Sequence, residues 1–293
     1  MLSRRSFLAS AGAGMAAGSL LSNIALAADS KIPLGIQMWT VKSEAEKDLE
    51  GTLRKLYAFG FREIEFAGYY GKSAADIGKL LKNIGLTPVS THAAADLIAS
   101  GGDQVIADAK ALGLQYIVCS SPLSNAAKVK LNPAKKMGVG GWKLDAALFN
   151  KFGKQVKAAG LQFGYHNHYA EFKKVDGKTG FDTLFASTDP DLVKIELDVG
   201  WAVAASQDPV AILNKYQGRV VALHVKDIGK LNPDPHKATT VAVGEGIVDW
   251  KKVIGTAQSH GVKHYFYEQE EPYTRPILES AKITADYLSK LTV

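Results

Sequence analysis

Four of the seven histidines in this 293-residue sequence stand at the ends of short apolar runs: His92, His166, His168 and His224. Carboxylates fall at equivalent places, in Glu196-Leu197-Asp198 and in Glu268-Gln269-Glu270. Side chains two apart on a strand share a face. His166 with His168, and His224 with Lys226, are therefore expected to project in pairs. Imidazoles converging with Asp198 and Glu268 form a ligand set suited to a divalent ion such as Mn²⁺, Fe²⁺, Co²⁺ or Zn²⁺. The single cysteine, Cys119, excludes an intrachain disulfide and a cysteine-rich zinc site, and reads as a small buried residue.

These residues need elements to bring them together, and one unit recurs along the chain: amphipathic helix, glycine, short apolar strand. Gly60, Gly85, Gly113, Gly160, Gly218 and Gly261 mark six such joins, where a left-handed residue ends the helix. Ser73, Asp208 before Pro209, and Asp249 are expected N-caps. Eight strands are expected, centred near Ile36, Ile64, Val89, Val118, Gly164, Glu196, Ala222 and Phe266. Their spacing leaves room for a helical crossover between parallel neighbours each time. The predicted fold is α/β, a single-domain (β/α)8 TIM barrel. An open doubly wound sheet is the alternative, and no Gly-x-Gly-x-x-Gly follows the first strand to support it. A barrel builds its active site at the C-terminal strand ends, where the histidines and acids fall. Residues 121–145 and 228–248 are expected as long loops on that face, serving as lids or substrate walls. Trp250 is expected to anchor its helix in the core.

Residues 1–27 are expected to lie outside this fold. Ser3-Arg4-Arg5-Ser6-Phe7-Leu8 is a twin-arginine export motif, an apolar Gly/Ala-rich stretch runs from Ala9 to Ala25, and Ala25-Leu26-Ala27 offers a cleavage site. Residues 28–293 would then form the barrel, in the periplasm or secreted. No other stretch reaches the roughly 18–20 apolar residues that span a bilayer, so no stable membrane insertion is expected after cleavage. Net charge is +6 and falls to +4 without residues 1–27, which hold two arginines and no acid. With 46% hydrophobic and 22% charged residues the composition is that of an ordinary globular protein. There is no basic run to suggest a nucleic-acid partner. A homo-oligomer is compatible with the sequence.

Five segments carry a family resemblance: Tyr165-His166-Asn167-His168-Tyr169-Ala170-Glu171-Phe172, Leu197-Asp198, Leu223-His224-Val225-Lys226-Asp227, Val243-Gly244-Glu245-Gly246-Ile247-Val248-Asp249-Trp250 and Tyr267-Glu268-Gln269-Glu270. In this order the chain resembles the xylose-isomerase-like TIM-barrel superfamily of sugar isomerases and epimerases. That group includes inosose dehydratases, hydroxypyruvate isomerases, ketose 3-epimerases and endonuclease IV. The resemblance implies one divalent ion (Mn, Co, Fe, Zn or Mg) held by His166, Asp198, His224 and Glu268. His166 stands where many members have a Glu that doubles as an acid/base group. A Tyr-His-x-His stretch in that place is closer to the inosose dehydratases.

The group's shared chemistry is proton removal beside a carbonyl, with the metal stabilising an enediolate. The resemblance makes Glu268 the first candidate base, with His168, Lys226 and Glu171 as alternatives. A sugar site would further use Trp39, Trp142 and Trp201 to stack on a ring, and Gln37, Glu65, His92 and His236 to bind hydroxyls. The expected activity is that of an isomerase or epimerase on an unphosphorylated sugar or keto-sugar, since export argues against a phosphorylated one. The alternatives are a lyase acting on a 3-keto-glycoside or inosose, and an exported sugar-binding protein without catalysis. An endonuclease-IV-like nuclease is disfavoured. Trp201 stands where its histidine would follow Asp198, and no histidine ends the fourth strand.

Overall fold

The structure, a computed structural model, describes residues 32–123 and 138–293. Eight parallel strands close into a barrel, each paired with its neighbours in sequence and the eighth with the first. They are β1 (Leu34–Gln37), β2 (Glu63–Phe66), β3 (Thr87–His92), β4 (Tyr116–Cys119), β5 (Gln162–His166), β6 (Val193–Asp198), β7 (Val220–Val225) and β8 (His264–Tyr267). All eight expected strand centres lie within them. The principal outer helices are α1 (Leu49–Phe59), α2 (Ala74–Ile84), α3 (Asp103–Leu112), α4 (Val139–Ala158), α5 (Gly180–Ala186), α6 (Pro209–Lys215), α7 (Trp250–Ser259) and α8 (Ile277–Leu288).

Local signals account for these boundaries. All six join glycines have positive φ, from 69° to 112°, the region an L side chain rarely adopts. Ser73, Asp208 and Asp249 each accept a backbone N–H of the helix they precede. Along β5 and β6 the aromatic and aliphatic residues Phe163, Tyr165, Ile195 and Leu197 join the main core. Phe163 and Tyr165 pack on Phe149 of α4 with ring centroids 5.5 and 5.1 Å away. The alternate residues His166, Glu196 and Asp198 are delivered to the barrel interior, as a two-residue period requires.

The interior carries its large polar cluster near the C-terminal mouth. Beneath it lies a small apolar cluster of Val89, Ala222 and Phe266, separate from the main core. Gly35 makes room for Phe266, because a Cβ there would stand 2.6 Å from its ring. Further down, His264 Nδ1 lies 2.9 Å from Glu63 Oε2.

Both expected loops are modified by the structure. Helix α4 begins at Val139, inside the expected 121–145 loop, and residues 124–137 of that loop lie outside the described residues. Trp142 sits in α4, buried against Gly180, where an added Cβ would come within 2.3 Å of the indole. It packs a helix and offers no face to a sugar. Residues 228–248 contain a hairpin of Asp227–Lys230 with Thr239–Val241. The buried Asp227 carboxylate gathers the loop by accepting the backbone N–H of Gly244, Gly246 and Val248. It also accepts the indole N–H of Trp250, at 2.9 Å, which seats that residue in the core as expected.

Candidate metal centre

β2, β3, β5, β6, β7 and the residues after β8 each send a polar side chain to the same end of the barrel. Glu65, His166, Glu196, Asp198, His224, Lys226 and Glu268 are all buried there. Two overlapping groups have ligand atoms within 4.8 Å of one another: His166, Asp198, His224 and Glu268, and His92, His166, Glu196 and His224. His166 and His224 belong to both. The Asn167 side chain couples β5 to β6 by accepting the Asp198 N–H at 3.1 Å and donating to the Asp198 carbonyl at 3.2 Å.

The orientation of the two shared imidazoles favours the first group as the ligand set. His166 Nδ1 lies 3.1 Å from Glu196 Oε2, while its Nε2 faces Asp198 Oδ2 at 3.7 Å. His224 Nε2 lies 2.6 Å from Glu65 Oε1, while its Nδ1 faces Glu268 Oε2 at 2.8 Å. In each ring a carboxylate engages the far nitrogen and leaves the near one facing Asp198 and Glu268. Metal-binding histidines are oriented in this way by a carboxylate on the other nitrogen. Two imidazoles with two carboxylates suit zinc, manganese, iron or cobalt. Asp198 Oδ2 is ion-paired with Lys226 Nζ at 2.9 Å but accepts no aligned hydrogen bond. The residues present fit a divalent ion.

The electrostatics follow from packing many charges into a dry space. Burial pushes Glu268 up, but Lys226 and His224 outweigh it and hold the carboxyl well below its usual range. Burial also raises Asp198, to about 6, against the opposing pull of Lys226. His92 is lowered by burial, yet Glu65 and Glu196 reverse this and raise it to about 10. His168 is lowered by burial and by Lys226 to about 4, so its ring is neutral at pH 7.

A cavity of about 370 Å³ opens above this cluster, lined by Trp39, His92, Ser120, His166, His168, Glu268 and Glu270 among others. A family model described as xylose isomerase-like TIM barrel matches residues 53–291. The chain belongs to this family. The inosose dehydratase of Lacticaseibacillus casei is 28% identical over 142 residues, which cover 44% of this chain and 47% of that one. The chain thus spans about half the length of such curated relatives. The sugar phosphate isomerase/epimerase of Parabacteroides distasonis is 26% identical with a TM-score of 0.75, covering 88% of this chain and 97% of that one. The IolI protein with a bound zinc atom shares the fold, at 14% identity and a TM-score of 0.67 over 89% of this chain and 99% of its own.

Against this family background, the structure sorts the sequence-derived candidates by position. His166, Asp198, His224 and Glu268 converge, and His92, His168 and Trp39 line the cavity. Gln37 and Glu65 do not: both are fully buried beneath it. Gln37 donates to Glu65 at 2.8 Å and accepts the Trp39 backbone N–H at 3.0 Å. Glu65 is occupied by His224, His92, Gln37 and Ser90. Neither has an atom left for a hydroxyl, and both act as supports. Lys226 lies between Asp198, Glu268 and Glu270, at 2.9, 3.0 and 2.6 Å, and 4.6 Å above the Trp201 ring. Burial alone would lower it, but the acids raise it, so it is an ammonium and not a resting base. Glu171 is buried against Tyr165, whose hydroxyl donates to it at 2.7 Å, and is not on the cavity wall. Trp201 is buried with Tyr169 at 5.3 Å, and His236 lies 5.7 Å from that tyrosine, so neither lines the cavity. Two participants were missing from the candidate set, Glu196 and Glu270. The two-residue period on β6 already places Glu196 on the face of Asp198.

Proposed function

We propose that this protein catalyses proton abstraction beside the carbonyl of an unphosphorylated sugar or keto-sugar, with one divalent ion held by His166, Asp198, His224 and Glu268. The observation that carries this is the pair of imidazoles whose far nitrogens are engaged by Glu196 and Glu65 while their near nitrogens face two carboxylates under an open cavity. A divalent ion there supplies Lewis-acid stabilisation of negative charge on substrate oxygens. His168 lines the cavity, its ring makes no hydrogen bond among the described residues, and it is the group placed to accept the proton. Glu268 is committed to His224 and Lys226. Lys226 holds Asp198, Glu268 and Glu270 in register. The described cavity wall has no arginine or lysine and two carboxylates, a poor environment for a phosphate.

Two outcomes share this first step. Reprotonation on carbon gives isomerisation or epimerisation, as named for the Parabacteroides relative. Loss of a β-leaving group gives elimination, and the inosose dehydratase relatives, together with His166 in place of a second acid/base glutamate, favour it. We further propose that residues 1–27 are a twin-arginine signal and that the barrel acts in the periplasm or outside the cell. This is supported by the order of motif, apolar stretch and cleavage site. No described helix is long and apolar enough to cross a membrane.

The test is metal analysis of the purified protein beside Asp198→Ala and His224→Ala, followed by keto-sugar turnover in D₂O. Close to one equivalent of transition metal, lost in both variants, is expected. Deuterium incorporation or elimination should fall in His168→Ala while its metal is retained. Absence of metal after reconstitution with Mn²⁺, Co²⁺ and Zn²⁺ would overturn the assignment in favour of a sugar-binding protein.

A further inference from the structure

In the turn that directly follows β1, residues 38–41, Trp39 alone is exposed. Its neighbours Met38, Thr40 and Val41 are buried, whereas Trp39 is 47% exposed. The turn beneath it is tied down from several sides. Gln37 Oε1 accepts the Trp39 N–H at 3.0 Å, the Tyr70 hydroxyl donates to the Met38 carbonyl at 3.1 Å, and the Tyr273 hydroxyl donates to the Thr40 carbonyl at 3.1 Å. Through Gln37 and Glu65 the same turn is linked to His224 of the metal centre. A large aromatic ring is therefore held at a fixed place relative to the reacting site while about half of it, 47%, stays exposed. Lys42 lies over one face, with Nζ 4.5 Å from the ring centroid.

The cavities explain what the ring faces. Trp39 and Ala67 line both the 370 Å³ cavity above the metal centre and a neighbouring cleft of about 800 Å³. That cleft is also lined by Glu46, Asp48, Lys72 and Asp76, which are hydrogen-bonding groups suited to hydroxyls. Small-molecule pockets range from about 300 to 1,000 Å³. The inner cavity is at the low end of that range and suits one sugar ring, whereas the cleft has room beyond it. An apolar ring flanked by polar side chains matches the alternating C–H face and hydroxyl rim of a pyranose.

We propose that Trp39 is the platform of a second sugar subsite, so that the substrate is a disaccharide or longer glycoside. Its reacting ring enters the inner cavity and its distal ring stacks on the indole. This rests on the sugar reading of the inner cavity but not on its chemistry. Rigid preorganisation of the platform lowers the ordering cost of binding.

Calorimetric titration of the full-length protein tests it. The probes are α- and β-linked glucosyl, galactosyl and xylosyl disaccharides beside their parent monosaccharides. At least one disaccharide should bind about tenfold or more tightly than its monosaccharide. That preference should vanish in Trp39→Ala and persist largely in Trp39→Phe. Equal affinity across every pair, or a preference that survives Trp39→Ala, would overturn the subsite. A Trp39-dependent preference in a protein that takes up no metal would uphold the subsite and refute the catalytic proposal. Metal and turnover without such a preference would do the reverse.

Discussion

Replacing Asp227 by Asn should destabilise the fold severely although it alters no residue of the proposed metal-binding cluster. The carboxylate is buried and accepts five hydrogen bonds. Oδ1 serves Ile228 at 2.9 Å and Val248 at 3.2 Å. Oδ2 serves Gly244 at 2.9 Å, Gly246 at 3.2 Å and Trp250 Nε1 at 2.9 Å. An amide keeps only one acceptor oxygen. In either orientation at least two donors lose their acceptor and meet an NH₂ group. A hydrogen bond to a charged group contributes about 1.5–3 kcal/mol, so two lost bonds cost about 3–6 kcal/mol. In a fold of this size each kcal/mol moves Tm by roughly 2–4 °C, so Tm should fall by about 6 °C or more. Urea and thermal unfolding followed by tryptophan fluorescence measure this, and hydrogen exchange at Gly244, Gly246 and Val248 locates it. Asp249→Asn is the control, because Asn keeps the single cap bond to Lys252 N–H. A loss below about 1 kcal/mol in Asp227→Asn, or one no larger than the control's, would refute the role assigned to this carboxylate.

Two further outcomes follow from the geometry. Gly200→Ala places a methyl 2.7 Å from both the Lys226 carbonyl oxygen and Cγ. The variant should lose metal affinity about 10-fold or more, read by competitive chelator titration, and unchanged affinity would show that Lys226 does not set the position of Asp198 and Glu268. Burial pushes the Cys119 thiol to about 12, so it stays protonated at pH 8. It should resist a thiol reagent there in the native state and react fully in urea, and rapid native labelling would contradict its placement.

The barrel was legible because its signals are local. A glycine at the end of a helix, a Ser or Asp before one, and alternation along a strand are each decided within a few residues. The sequence therefore specified all eight strand centres, the six joins and the three caps. The same alternation sends His166, Asp198 and His224 inward, and the barrel topology brings those strand ends together. The clustering of these residues was accessible from that logic plus the resemblance. The same two-residue period on β6 places Glu196 beside Asp198, so its membership of the cluster is legible in the sequence as well.

Depth and partnership were not legible. Gln37 and Glu65 stand at strand ends as His92 does, yet the first two are buried with every polar atom engaged and the third reaches the cavity. Glu171 lies five residues beyond His166 in a charged-looking segment, but it faces Tyr165 on the barrel's outer side. Trp39 and Trp142 are the same residue type on the same expected face, and only one is open to a ligand. The sequence alone determined the fold, the orientation of its strands and the chemical types gathered at the mouth, because these depend on short-range conformational preference and a fixed period. Tertiary structure decided which of those groups meets a substrate and which supports another, because a side chain's role depends on the hydrogen bonds and space left to it by residues far away in the chain.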